Sequence, residues 1–188
     1  MVPRLTFTRR VRVLLVGGLV LIAGTFAWFA WQRRDTTGGS GFASADTTGM
    51  PLRVARLYFA RPDGEGLLEE ARELPELPNL HPRVAMLVAA LAQGPAGEGV
   101  RTLPAGTRVQ HSYLDGDGVL TLDLSRAFRQ GFQGGALAEE MAIGSLVRTV
   151  AAGVPEARRV RIVCGGRPLP SLGGHFPLDR PLDPDDWP

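Results

Sequence analysis

The sequence predicts an α+β domain, a two-layer sandwich in which a mixed or antiparallel sheet carries two helices on one face, preceded by one transmembrane helix. Three observations predict it. Nineteen consecutive residues near the N-terminus carry no charge, two later segments repeat apolar residues at helical spacing, and short apolar or alternating runs between them are bounded by Gly, Pro and Asp.

The uncharged run is VLLVGGLVLIAGTFAWFAW, residues 13 to 31. As a helix it would be roughly 28 Å long at about 1.5 Å per residue, close to a hydrocarbon core of about 30 Å. Trp28, Phe29 and Trp31 cluster at its far end, where amphipathic rings favour the lipid–water interface. A cleaved signal peptide would end in small residues of A-x-A type, and Trp28 stands in that place, so the segment reads as an uncleaved signal anchor. Residues 1 to 12 hold Arg4, Arg9, Arg10 and Arg12. Only Arg33 and Arg34 follow the span, accompanied by Asp35. That imbalance puts the N-terminus in the cytoplasm and the rest of the chain on the extracytoplasmic side of the cytoplasmic membrane. Residues 32 to 50 form a Gly/Ser/Thr-rich linker; its central fifteen residues reach roughly 20 Å as a flexible coil.

The domain is expected at 51–183, with 184–188 as a tail. Residues 52 to 60, LRVARLYFA, form a strand stopped by Pro62, Asp63 and Gly64, and 67 to 74 is its candidate hairpin partner. A helix opens with Pro82 at its first position, buries Val84, Leu87, Val88, Leu91 and Ala92, and stops at Gly94 and Pro95. Strands 107 to 113 and 119 to 124 flank Asp115-Gly116-Asp117-Gly118, a strong signal for an antiparallel hairpin. A second helix over 136 to 152 places Ile143, Leu146, Val147, Val150 and Ala151 on one face, and VRIVC, residues 160 to 164, is a compact central strand.

Composition removes several function classes. All 21 basic residues are arginine, which excludes a Walker A loop, a Schiff-base lysine and an S-x-x-K nucleophile pair. Residues 36 to 188 carry 15 arginines against 18 acids, a net charge of −3 without a clustered basic face, which argues against nucleic acid as a partner. A single cysteine, Cys164, excludes an internal disulfide and a multi-cysteine zinc site.

The assembled elements resemble the GerMN domain, a module named after a spore-germination protein. VARLYF (54–59), LEEAREL (68–74), LAQGP (91–95), LPAGTRV (103–109) and GVLTLDLSRAF (118–128) carry the resemblance, followed by Gly134, Gly135, Glu139, SLVRTV (145–150) and VRIVCGGRPLPSLGGH (160–175). The resemblance covers about residues 52 to 180. It implies an envelope protein, secreted as a lipoprotein or anchored in the membrane, with no assigned catalytic residues and with likeness to the ring-building modules of secretion machines. This chain departs from the pattern in carrying one copy, no cysteine for lipidation, and an additional glycine in Leu172-Gly173-Gly174-His175.

No motif points to catalysis, a cofactor or a metal. Asp115 and Asp117 resemble the start of a calcium loop, but position twelve is Arg126 rather than glutamate, and the hairpin turn explains both. His81, His111 and His175 are scattered, without a local carboxylate arrangement. Ser145 lacks the second glycine of a nucleophile elbow. Glu139 and Glu140 suit the dipole at a helix start, Asp123 or Ser125 can cap a short following helix, and Cys164 is a small buried apolar residue. Arg158, Arg159 and Arg161 form a small basic cluster on a solvated edge. The leading expectation is a non-catalytic interaction module binding an envelope protein or itself. The alternatives are a small ligand or cell-wall fragment held in a groove, and a hydrolase assembled from distant residues.

Overall fold

The computed structural model describes residues 50–187. The predicted span at 13–31 and the linker up to residue 49 lie outside these residues. Among the described residues no helix is long and apolar enough to cross a membrane.

Strands β1 (Leu52–Ala60) and β2 (Leu67–Pro75) form an antiparallel hairpin in which Leu52 faces Pro75 and Ala60 faces Leu67. Helix α1 (Leu80–Gln93) follows, then β3 (Val109–Leu114) and β4 (Val119–Leu124), the short helix α2 (Arg126–Gln130), the long helix α3 (Ala136–Gly153), β5 (Arg159–Cys164) and a two-residue strand β6 (Arg167–Pro168). The α+β class is as expected, with one correction: there are two sheets. β1–β2 stands alone, and β3-β4-β5-β6 forms a four-stranded mixed sheet, parallel only between β4 and β5. The long crossover through α2 and α3 makes that parallel pair possible, since a tight turn cannot.

The two long helices bury the predicted faces. Val84, Leu87, Val88 and Leu91 of α1 meet Ile143, Leu146, Val147 and Val150 of α3 in one core with Leu57, Phe59, Leu120, Leu122, Leu124, Val160 and Ile162. Each such side chain contributes roughly 1.5–3 kcal/mol on burial. Helix α1 starts two residues earlier than predicted, after Asn79, so Pro82 occupies the third helical position. The first-turn amides lack intrahelical acceptors anyway, so proline costs nothing there. The last turn of α1 has no basic residue of its own. Instead Arg72 of β2 donates to the carbonyls of Ala90 and Gly94, both at 3.1 Å, and Arg101 donates to those of Ala92 and Gln93. The free carbonyls at a helix end attract these cations.

The β3–β4 turn forms as predicted: Asp115 accepts from the amides of Asp117 (3.0 Å) and Val119 (2.8 Å), and Gly118 takes φ +76°. Strand β3 begins at Val109 rather than 107, with a bulge between Val109 and His111. Residues 184–187 of the expected tail are packed onto the domain. A 3-10 turn at Pro184–Asp186 leads to Trp187, 4% exposed, whose indole lies so close to Gly144 of α3 that any side chain at Gly144 would collide with it.

Candidate functional site

One half of β1 presents an open edge. The Pro51 carbonyl accepts from Glu76 N at 2.8 Å, so odd-numbered residues of β1 bond to β2 and even-numbered ones direct their N–H and C=O the other way. At Tyr58 both outward groups are satisfied, and at Ala60 the carbonyl is. Thr149 Oγ1 accepts from Tyr58 N at 3.0 Å, Ser145 Oγ donates to the Tyr58 carbonyl, and Val100 N donates to the Ala60 carbonyl at 2.8 Å. Ser145 and Thr149 are four residues apart and share a face of α3. Two hydroxyls therefore stand where a neighbouring strand would, which is why β1–β2 and the four-stranded sheet remain separate.

At Leu52, Val54 and Arg56 the same outward groups have no hydrogen-bond partner among the described residues. Leu52 and Val54 are 62% and 61% exposed. Beside them runs a groove of about 300 Å³ between the hairpin, α1 and the end of α3, lined by Val54, Arg56, Leu74, Arg83, Met86 and Gly153. The sequence marks this half of the strand by an inversion that the reading above passed over. In LRVARLYFA, apolar residues fall on even positions at Leu52 and Val54 but on odd positions at Leu57 and Phe59, so one face of β1 cannot be apolar throughout.

The residues weighed for chemistry are mostly consumed by the fold. Ser145 is fully buried, donates to Tyr58 and receives the Thr102 hydroxyl at 2.6 Å. Glu139 does more than favour the helix dipole. It is fully buried, accepting from Leu172 N at 2.8 Å, His175 N at 2.9 Å and His175 Nδ1 at 3.1 Å. Burial works to raise its pKa, but the amides of Gly173, His175 and Phe176 and the His175 ring outweigh it and hold the carboxyl below its ordinary value. His175 is thus paired with a carboxylate that lies 36 residues away in the chain, beyond the reach of local spacing.

His111 Nδ1 approaches Asp123 at 3.5 Å at the surface, and His81 Nδ1 lies 3.2 Å from Ser112 Oγ, so the three histidines stay apart. Among the described residues no group of three metal-ligating side chains converges. Ser125 occupies the cap position of α2 without capping it: its hydroxyl accepts from Arg108 N at 3.1 Å and faces the Gly106 carbonyl at 3.4 Å. Asp123 accepts instead from Gly166 N at 2.9 Å. Cys164 is partly buried, which pushes its thiol pKa up, and it donates to the Ser125 carbonyl at 3.5 Å.

Solved structures share this fold. A candidate lipoprotein from Clostridium perfringens is 23% identical with a TM-score of 0.52, the match covering 73% of this chain and 91% of that one. The first GerMN domain of the sporulation protein GerM from Bacillus subtilis is 20% identical, TM-score 0.55, over 71% of this chain and 99% of that domain. The tandem GerMN domains of the same protein give 20% and 0.59 over 72% of this chain, which spans about half (48%) of the tandem. At these identities the likeness is one of fold. Among curated proteins, none matches. A family model described as Germane: Sporulation and spore germination matches residues 56–170, well over half of the chain, and the protein belongs to that family.

Proposed function

We propose that this Germane domain is a non-catalytic interaction module, held on the extracytoplasmic side of the membrane by residues 13–31 and binding an envelope protein or a second copy of itself within an envelope or sporulation-related assembly. The observation that carries the reading is the open outward edge of β1 from Leu52 to Arg56. Among the described residues, Leu52, Val54 and Arg56 present backbone donors and acceptors without partners, beside the exposed apolar side chains of Leu52 and Val54, the arrangement that accepts an added strand. The use of Ser145 and Glu139 as structural fasteners agrees with it. A flexible tether confines such domains to a thin layer, so a weak contact gains effective concentration.

The chain has no lysine, so amine-reactive crosslinkers are unsuitable and a photo-activated residue is the appropriate probe. Placed at Val54 in the full-length protein in membranes, it should yield a discrete adduct. The same probe at Tyr113, exposed on β3, should not. Adducts from Tyr113 and none from Val54 would contradict the assignment. A reporter active only outside the cytoplasm, fused after Pro188, tests the topology separately.

A further inference from the structure

Helix α2 lies over the β5–β6 hairpin, and between them is a polar cleft of about 570 Å³ lined by Arg126, Arg129, Gln130, Cys164, Gly165 and Arg167. The fold brings the three arginines together. Phe128, fully buried, pins α2 to the core, and Arg126 and Arg129 are three residues apart and neighbours on its surface. Gly165 and Gly166, at φ +60° and +73°, make the two-residue turn that returns the chain from Cys164 to its partner Arg167. Glycine at 165 also leaves room for the Arg126 stem, whose Cγ would sit 3.3 Å from a β-carbon there.

No carboxylate lies within ion-pair distance of these three guanidinium groups among the described residues. Asp123, at the edge of the region, is engaged by Gly166 N and faces His111. Three like charges around one space repel, and an anion between them relieves that repulsion. Planar guanidinium forks match phosphoryl oxygens bidentately, and a dianion neutralises more of the triple charge than a carboxylate does. The Gln130 amide adds a further donor.

We propose that this cleft binds a phosphoryl group, carried either by a free phosphate compound or by an anionic lipid headgroup. The site is distinct from the β1 edge and stands without it. The cleft contains a reporter, because Cys164 is the sole thiol of the chain and is partly exposed. In the full-length protein in neutral detergent, at alkaline pH and constant ionic strength, inorganic phosphate or glycerol phosphate replacing chloride should slow maleimide labelling of Cys164. It should also broaden the phosphorus resonance of the ligand.

Arg126→Gln with Arg167→Gln should abolish the protection and weaken binding by about tenfold or more, whereas Arg159→Gln, exposed on β5, should leave both unchanged. The second arm places the full-length protein in nanodiscs of phosphatidylcholine with or without phosphatidylglycerol. Protection by free phosphate assigns a soluble ligand, and protection only in phosphatidylglycerol discs assigns a headgroup. Absence of both protection and line broadening in every arm, or an equal loss in Arg159→Gln, overturns the proposal.

Discussion

Strand β1 is one strand with two different fates. From Leu57 to Ala60 every side chain is buried, and the outward N–H and C=O of Tyr58 and the carbonyl of Ala60 are taken by Thr149, Ser145 and Val100. From Leu52 to Arg56 all but Ala55 are exposed, and the outward groups have no partner among the described residues. Both halves pair with β2 in one unbroken register. The difference therefore comes from what α3 supplies at the opposite edge: two hydroxyls at one end, and the small residues Ala152 and Gly153 at the other. Buried polar side chains close half of this edge and leave the other half open and apolar, and the proposed interaction surface rests on that contrast.

The contrast breaks most sharply at the residues that tie β1 to the core and to β2. Leu57→Ala should cost about 2–5 kcal/mol, since Leu57 is fully buried. Ala55→Pro should cost about 3 kcal/mol or more, because residue 55 donates into the β1–β2 ladder. Both are read from urea denaturation of the full-length chain in detergent. A neutral Ala55→Pro would show that the register is displaced by one residue, which would exchange the open and closed backbone groups.

The closed half also depends on hydroxyls. Thr149→Val leaves the buried Tyr58 amide without an acceptor, and Ser145→Ala removes both the donor to the Tyr58 carbonyl and the partner of Thr102. Each should cost about 1–3 kcal/mol. Because both act on one peptide segment, the double variant should deviate from additivity. Tyr58 would further lose its position under the Arg148 guanidinium, 4.8 Å from the ring, so quenching of tyrosine emission should change in parallel.

Glu139 performs the same operation nearer the start of α3, closing the loop around Leu172–His175 rather than a strand. Its folded pKa lies below the ordinary 4.5. The stabilisation is therefore complete above that ordinary value and is lost as pH falls through the lower folded value. Glu139→Gln should reduce stability by roughly 1–3 kcal/mol at neutral pH and flatten the acid limb of the stability curve. A wild-type acid limb unchanged by the substitution would remove this role from Glu139.

Much of the fold was legible in the sequence for a physical reason: α1, α3, β4 and β5 each bury a periodic apolar face, and periodicity is a local property. The split of the sheet was not legible, because it depends on Ser145 and Thr149 meeting Tyr58 some ninety residues earlier. A mid-helix serine looks the same whether it faces solvent or a strand edge. Glu139 was misweighted for the same reason, since the amides that donate to it lie beyond α3 in a Gly-rich loop. Trp187 was assigned to a tail because a single aromatic residue among Pro and Asp has no periodicity to reveal its burial. The open edge did leave a local trace, the inversion of alternation within β1.

The smallest effect on stability should come from Val54→Pro, and it is the most informative. Residue 54 directs its N–H away from β2, so proline removes no ladder hydrogen bond, and an edge position facing outward is where strands tolerate proline. Its side chain is largely exposed, so little packing is lost, and stability should stay within about 0.5 kcal/mol of wild type. An added strand, however, needs that N–H as a donor. With the photo-activated residue moved to Leu52, the adduct formed by the full-length protein in membranes should disappear in the Val54→Pro background, while Val54→Thr, which keeps the N–H and the branched shape, should retain it. If Val54→Pro leaves the adduct intact, the partner does not add to the backbone of β1, and the contact must run through the exposed side chains alone.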